Sequence, residues 1–250
     1  MCGRYVSLTS TDDLVAYLDA QEVLGDDLLP SWNVAPTDPV RAVTMRPPHG
    51  DREKAPVRQL RTMRWGLVPS WSSDRKSAAR MINARVETVT TKPAFRSAAV
   101  RRRCLLPALG YYEWCKEDGQ AVPYFLHDLS NRPITFAGLY EVWRDPAAGE
   151  GDGGLLWTCT IITRAATDRI GHIHDRSPVV VPAGLQGDWL DCSSTGEDDV
   201  THLLDAMPPA DFDAYTVGAA VGSVRNNGPH LVEPAEPAAS PRQEQLDLEL

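Results

Sequence analysis

Short apolar runs broken by turn residues, rather than long helical stripes, dominate the chain. Thr11, with Asp12 and Asp13 after it and apolar Leu14, Val15 and Leu18, predicts a capped amphipathic helix with an acidic first turn. The stretch 30–39 (PSWNVAPTDP) holds three prolines, which remove donors and fix φ, so a turn-rich, non-helical segment is expected. A strand is predicted over Arg41–Met45, a polar turn over Pro47–Lys54, and renewed strand alternation over Pro56–Val68. Pro69, Ser70 and Trp71 open a basic loop running to Arg80. The next segment, 81–89 (MINARVETV), fits neither the helical nor the strand period, as happens where a chain is shaped around a site.

Pro93 followed by Phe95, Ala98 and Ala99 predicts a short helix ending in Arg101, Arg102 and Arg103, cations suited to a helix C-terminus. Cys104–Trp114, Val122–Leu126, Ile134–Tyr140 and Leu155–Ile162 read as strands, with a Gly/Ala/Asp loop at Asp145–Gly154. A short helix over Thr163–Ile170, a strand over Pro178–Val181 and a helix presenting Val200, Leu203 and Leu204 follow. Strands outnumber helices and no repeat is visible, so the expected class is α+β with mixed sheets in one domain, residues 2–232. From Glu233 to 250 the chain turns Pro-, Ala- and Glu-rich, and a disordered acidic tail is expected there.

Charge changes the picture more than composition does. With 42% hydrophobic and 24% charged residues the chain is ordinary for a globular protein, and its net charge of −9 argues against a nucleic-acid partner. Residues 1–103, however, hold 17 Lys and Arg against 11 Asp and Glu, and within 61–103 the balance is 11 to 2. A local basic surface is what meets phosphates. The eight acidic residues of 187–213, with no Lys or Arg, carry the opposite sign. No apolar run approaches membrane-span length and no secretory pattern opens the chain, so no membrane association is expected. The five cysteines (2, 104, 115, 159 and 192) are odd in number and form no CxxC pair, which fits reduced thiols in the cytoplasm.

Cys2 is the first candidate for chemistry. Removal of Met1 turns it into a 1,2-aminothiol, which condenses with an aldehyde to an imine and then a thiazolidine. With an α-amine near about 7.7–8.0 and a thiol near about 8.5, both groups react close to neutral pH. Glu113, between Tyr112 and Trp114, is a carboxyl among aromatics, where a raised pKa suits proton transfer. His174, beside Asp175, moves protons at neutral pH. His172 and His174 invite a metal reading, but no motif supplies a third ligand, so no metal or cofactor is expected. Asn83 and Arg85 lie two apart, on one face if extended, and Arg85 offers a bidentate fork to a phosphate. Trp32, Trp65, Trp71 and Trp114 interleave with arginines in the pattern that single-stranded nucleic acid binding uses.

Six motifs in order, MCGRY at 1–5, WNVAPT at 32–37, RWGLVPSW at 64–71, INARVET at 82–88, GYYEW at 110–114 and IHDRSP at 173–178, resemble the SRAP family. That is the SOS response-associated peptidase family of abasic-site processing proteins. The resemblance implies largely antiparallel sheets forming a barrel-like core with short flanking helices. It also implies a monomer that binds single-stranded DNA and single-strand/double-strand junctions holding an abasic site, at damaged DNA in the nucleoid. Cys2 would be the crosslinking nucleophile, with Asn83, Glu113 and His174 lining its pocket. Arg4 and Arg85 would hold phosphates, and Trp65, Trp71 and Trp114 would contact the strand. The same residues would serve in autoproteolytic removal of Met1. An N-terminal-cysteine amidohydrolase acting on small amides or peptides is the alternative, although it gives the basic segment no role.

Overall fold

The alternating sequence VRQLRTMRW forms strand β5 (Val57–Trp65), with Gln59, Leu60, Met63 and Trp65 buried, in a computed structural model that describes residues 2–130, 132–148, 154–193 and 196–235. β4 (Pro39–Arg46) pairs antiparallel with all of it but Trp65, from Pro39–Arg64 to Arg46–Val57. Antiparallel pairing continues through β7 (Arg103–Ala108), β10 (Ile134–Arg144) and β11 (Leu155–Ala165). β11 then meets β5 in parallel at Thr158–Arg64 and Cys159–Trp65. Five strands thereby close into a barrel, which leaves none of them a free edge. β2 (Glu22–Leu24) and β12 (Arg176–Pro178) extend the sheet, and β6 (Asn83–Arg85) pairs in parallel with β11.

A second, wholly antiparallel sheet runs in the order β13 (Phe212–Thr216), β9 (Gln120–Asp128), β8 (Gly110–Glu117), β1 (Arg4–Ser7), β3 (Ser31–Val34). It caps the barrel through aromatic edges: Tyr5 meets Trp65 at 5.2 Å and Phe136 at 6.1 Å, and Tyr111 meets Phe136 at 6.2 Å. The barrel interior is filled by Ala42, Met63, Leu106, Phe136, Cys159 and Ile161 from its five strands. Gly138 is required there, because a Cβ would stand 2.1 Å from Leu106 Cδ1 and 2.9 Å from Cys104 Sγ. The class is α+β with a barrel core, as expected.

Helices cover the outer face. α1 (Thr11–Leu18), α2 (Arg96–Arg101), α4 (Gln186–Leu190) and α5 (Glu197–Ala206) bury Leu14, Leu18, Ala98, Trp189 and Leu204 against Leu60, Leu105 and Leu139. Full burial of such a leucine contributes about 1.5–3 kcal/mol. The acidic 187–213 stretch thus supplies an apolar helix face to the core.

Several boundaries differ from expectation. Ser10, not Thr11, caps α1: its hydroxyl accepts from Asp13 N–H, and Thr11 is the first helical residue. The proline-rich 30–39 stretch contains β3, because proline removes only its own donor. Cys104–Trp114 is two strands broken at Leu109, whose N–H turns to Val6 O. Over Thr163–Ile170 the strand β11 persists to Ala165, held by β12 across Thr163–Pro178, and only α3 (Asp168–Gly171) is helical. Pro93 precedes α2 by three residues, and Arg103 ends no helix but opens β7. The expected tail from Glu233 lies outside the described residues beyond 235.

Candidate active site

The site grows from the register of β1 on β8. Val6 faces Gly110, Tyr5 faces Tyr111 and Arg4 faces Tyr112. Continuing that antiparallel register toward the amino terminus carries Cys2 alongside Glu113 and Trp114. Gly110 allows β8 to lie close on its other neighbour β9, because a Cβ there would lie 2.5 Å from Leu126 O. On the other side β6, held parallel to β11 by Asn83–Ile161 and Thr163–Arg85, brings in the aperiodic 81–89 segment. Asn83 Nδ2 donates to Cys2 O at 2.8 Å. The INARVET segment therefore holds the backbone of the second residue.

Cys2 is fully buried, in the same core cluster as Tyr5, Trp65 and Tyr111. Burial pushes its thiol well above the usual cysteine range, and the charge of Glu113 pushes the same way. Glu113 is 4% exposed, and burial raises its carboxyl above the ordinary glutamate value. The positive charge at the amino terminus, and after it His174, oppose that rise. A thiol and a carboxyl whose pKa values are both raised by burial thus lie close enough for the charge of one to act on the other. Tyr111 adds a buried hydroxyl with no hydrogen-bond partner among the described residues, and its pKa is raised by burial, then Cys2, then Glu113. Sequence reasoning passed over Tyr111, whose only signal was its place two residues before Glu113 on one strand face.

His174 sits on the turn between α3 and β12. Its Nδ1 accepts from Arg176 N–H at 3.0 Å, and Asp175 Oδ1 is also 3.0 Å away. His174 Nδ1 thus lies within hydrogen-bond reach of both a backbone donor and a carboxylate. Arg176 was also missed. It forks onto Glu87 at 2.5 and 3.0 Å and donates to Thr163 O at 2.6 Å, tying the HDR turn to the INARVET segment. That pairing, with Asn83 on Cys2, is the physical content of two motifs far apart in sequence.

The predicted DNA-contact residues divide. Trp71 is 69% exposed and Arg85 is exposed. Trp65 is not a stacking surface: it is 0% exposed, its ring packs on Tyr5, and its Nε1 donates to Ile82 O. Its neighbour Gly66, at φ +117°, turns the chain where Ala78 O would meet a Cβ at 2.6 Å. Trp114 is half-buried, packed in the cluster with Tyr112 and Phe125, and Arg4 lies 6.0 Å from its ring centre. Arg4 is largely spent on the fold: it donates to Asn33 Oδ1 and Val221 O at 2.8 Å each, and to Gly222 O at 3.3 Å. Asn33 of WNVAPT holds the same turn through Ser223 O and Asn226 O.

The basic segment thins in the same way. Arg103 is buried, donating to Trp189 O, Asp191 O and Ala99 O, and Arg102 pairs with Glu141. Arg75, Lys76, Arg80, Arg85, Arg96 and Arg101 remain exposed. Asn83, Glu113 and His174 thus gather around Cys2, while these cations and the Trp71 indole stand on the surface.

Known proteins are similar to this chain in sequence and in fold. The abasic site processing protein YoqW of Bacillus subtilis (strain 168) is 35% identical over 235 residues, covering 93% of this chain and 99% of its own. The abasic site processing protein YedK of Escherichia coli (strain K12) is 29% identical, covering 94% and 100%. A crystal structure of a protein from Bacteroides thetaiotaomicron superposes with a TM-score of 0.77 at 23% identity, covering 94% of this chain and all of that one, and shares its fold. The family model described as SOS response associated peptidase (SRAP) matches residues 1–224, and with it the whole barrel and both flanks of Cys2: the chain belongs to the SRAP family.

Proposed function

We propose that this protein processes abasic sites in DNA by covalent capture, Cys2 forming a thiazolidine with the ring-opened abasic sugar once Met1 is removed. The observation that supports this most is a fully buried Cys2 with its carbonyl held by Asn83 and a burial-raised carboxyl, Glu113, acting on its thiol. The names of the relatives YoqW, YedK and the HMCES protein of Xenopus tropicalis, all abasic site processing proteins, point to the same lesion.

The steps follow from the groups present. The free α-amine of Cys2 adds to the sugar aldehyde, and water leaves as the imine forms. Glu113, whose carboxyl burial raises above the ordinary glutamate value, serves as the acid for the departing oxygen. The Cys2 thiol then adds to the imine carbon. A C–S bond forms as the C=N electron pair of the protonated imine returns to nitrogen, and the sulfur proton passes to the ionised Glu113, restoring its acid form. A thiol kept neutral by burial needs that base beside it. His174, close enough for its charge to act on Glu113, serves as a donor for the sugar oxygens. Asn83 fixes the short N-terminus so that sulfur approaches from one side.

The exposed surface fits a single strand: Trp71 for a base, and Arg85 with its exposed neighbours for phosphates. Arg4 acts mainly by bracing the pocket wall. Removal of Met1 by the same Cys2, Glu113 and His174 completes the reading, with residues 2–232 as one domain, the chain acting as a monomer at damaged DNA in the cytoplasm.

The test is incubation with a single-stranded oligonucleotide carrying one abasic site, followed by a denaturing gel and intact mass. The expected product is a shifted band that disappears in Cys2→Ser, made only by chains that lack Met1. No band near neutral pH, or a band that survives Cys2→Ser, would overturn the proposal.

A further inference from the structure

The barrel has two ends. One is sealed by Tyr5 and Tyr111; the other opens into a cleft of roughly 1050 Å³ lined by Arg46, Gln59, Arg61, Trp157 and the loop 47–53. Arg46, Arg61 and Trp157 stand in line with the barrel-filling residues Ala42, Met63 and Cys159 of their own strands, so all three belong to the inward-facing sets. Trp157 is four residues along β11 from Ile161, the partner of Asn83, which at about 3.3 Å per residue separates the two ends by about 13 Å.

The cations here are unusual. Arg61 lies over the Trp157 indole at 3.8 Å and Arg46 lies 5.4 Å from the same ring. Neither forms an ion pair among the described residues. Arg61 donates to Gln59 Oε1 at 3.2 Å, while its Nε is buried with no hydrogen-bond partner among the described residues. Arg46 donates to Tyr140 Oη at 3.0 Å, leaving its other nitrogens to the cleft. Burial and then the charge of Arg46 lower the Arg61 pKa. Tyr140 and then Glu22 act against that lowering, but Glu22 forms no ion pair with Arg61: it accepts from Gln59 and from His49 N–H, and Asp51 pairs with Lys54. Glu53 and Arg52 occupy the exposed rim.

Two guanidiniums gathered at one indole, with a buried donor left over and neither in an ion pair among the described residues, repel each other unless an anion joins them. Tyr140 stacks on Trp157 at 5.6 Å and 18°, and Arg61 covers the indole too, so the ring offers no face to a nucleobase. We propose that this open end of the barrel is a second anion site, in which Arg46 and Arg61 bind a phosphate group. The phosphate belongs either to a small phosphorylated molecule or to the backbone of a DNA strand.

The test is titration of the full-length protein with inorganic phosphate at constant ionic strength, chloride being the control, read by calorimetry and melting temperature. It needs no abasic site, so its outcome is independent of the crosslinking reaction. The expected result is saturable phosphate binding with a rise in melting temperature, weakened at least tenfold by Arg46→Gln and by Arg61→Gln. Should Arg61→Gln unfold, Arg61→Lys, which keeps the charge but loses the fork, is expected to weaken binding less than Arg46→Gln does. An undamaged single-stranded oligonucleotide and a free deoxymononucleotide then identify the source. Competition by the oligonucleotide assigns the site to a strand, and competition by the mononucleotide alone assigns it to a small ligand. Absence of phosphate-specific binding, or binding unchanged in Arg46→Gln, overturns the proposal.

Discussion

Replacing Glu113 by Gln separates chemistry from stability, because the two effects have opposite signs. Glu113 is 4% exposed and its carboxyl is raised by burial, so the folded state holds the proton more tightly than the unfolded chain does. As pH rises from the unfolded pKa toward the folded one, the folded protein loses stability, by about 1.4 kcal/mol for each pH unit that separates the two. Glutamine is close to the protonated carboxyl in shape and never ionises. The variant is therefore expected to melt at or above the wild-type temperature at pH 8, with a flatter stability profile from pH 5 to 8. Crosslinking should slow by about 10²- to 10⁴-fold, the usual range for loss of a general acid. Its wild-type rate should fall as the Glu113 proton is lost at higher pH, and the variant rate should lack that limb. The assay is a single-turnover crosslinking time course on denaturing gels beside thermal melts across the same buffers. Wild-type crosslinking in Glu113→Gln would refute the acid role. A variant destabilised by more than about 2 kcal/mol would show that the carboxyl is a structural hydrogen-bonding group.

Three further outcomes follow from the geometry. Asn83→Ala removes the 2.8 Å bond to Cys2 O; stability should drop by only about 1 kcal/mol, but crosslinking should slow at least tenfold because the nucleophile is no longer held, as rate measurements at saturating DNA will show. Trp71→Ala should leave the melting temperature unchanged, since the ring is 69% exposed, and weaken single-strand binding by about 1–3 kcal/mol in a fluorescence titration. Gly138→Ala places a Cβ 2.1 Å from Leu106 Cδ1 and 3.0 Å from Thr160 O inside the barrel, and should destabilise by about 1–3 kcal/mol in denaturant melts.

Much of this protein was legible in its residues. Two-residue alternation in 57–65 and β-rich runs near 104–114, 122–126, 134–140 and 155–162 predict strands because a half-buried pleat demands that spacing. The six motifs pointed to Cys2, Asn83, Glu113 and His174, and the aperiodic 81–89 segment does wrap the second residue. Strand ends were harder to place, since the Thr163–Ala165 extension of β11 exists only because β12 pairs with it.

Only the tertiary structure decided which of several like residues face the site. Trp65 and Trp71 stand six apart in one motif, yet one seals the barrel and the other stands in solvent. Arg102 and Arg103 read as part of a basic patch, but Glu141 and three backbone carbonyls consume them. Closure of the barrel depends on β5 meeting β11 some ninety residues later, a pairing that no local pattern encodes. Local sequence sets what each segment can form. Burial, charge pairing and the open end of the barrel arise from contacts between segments distant in the chain, and those contacts turn a second-position cysteine into a pocket.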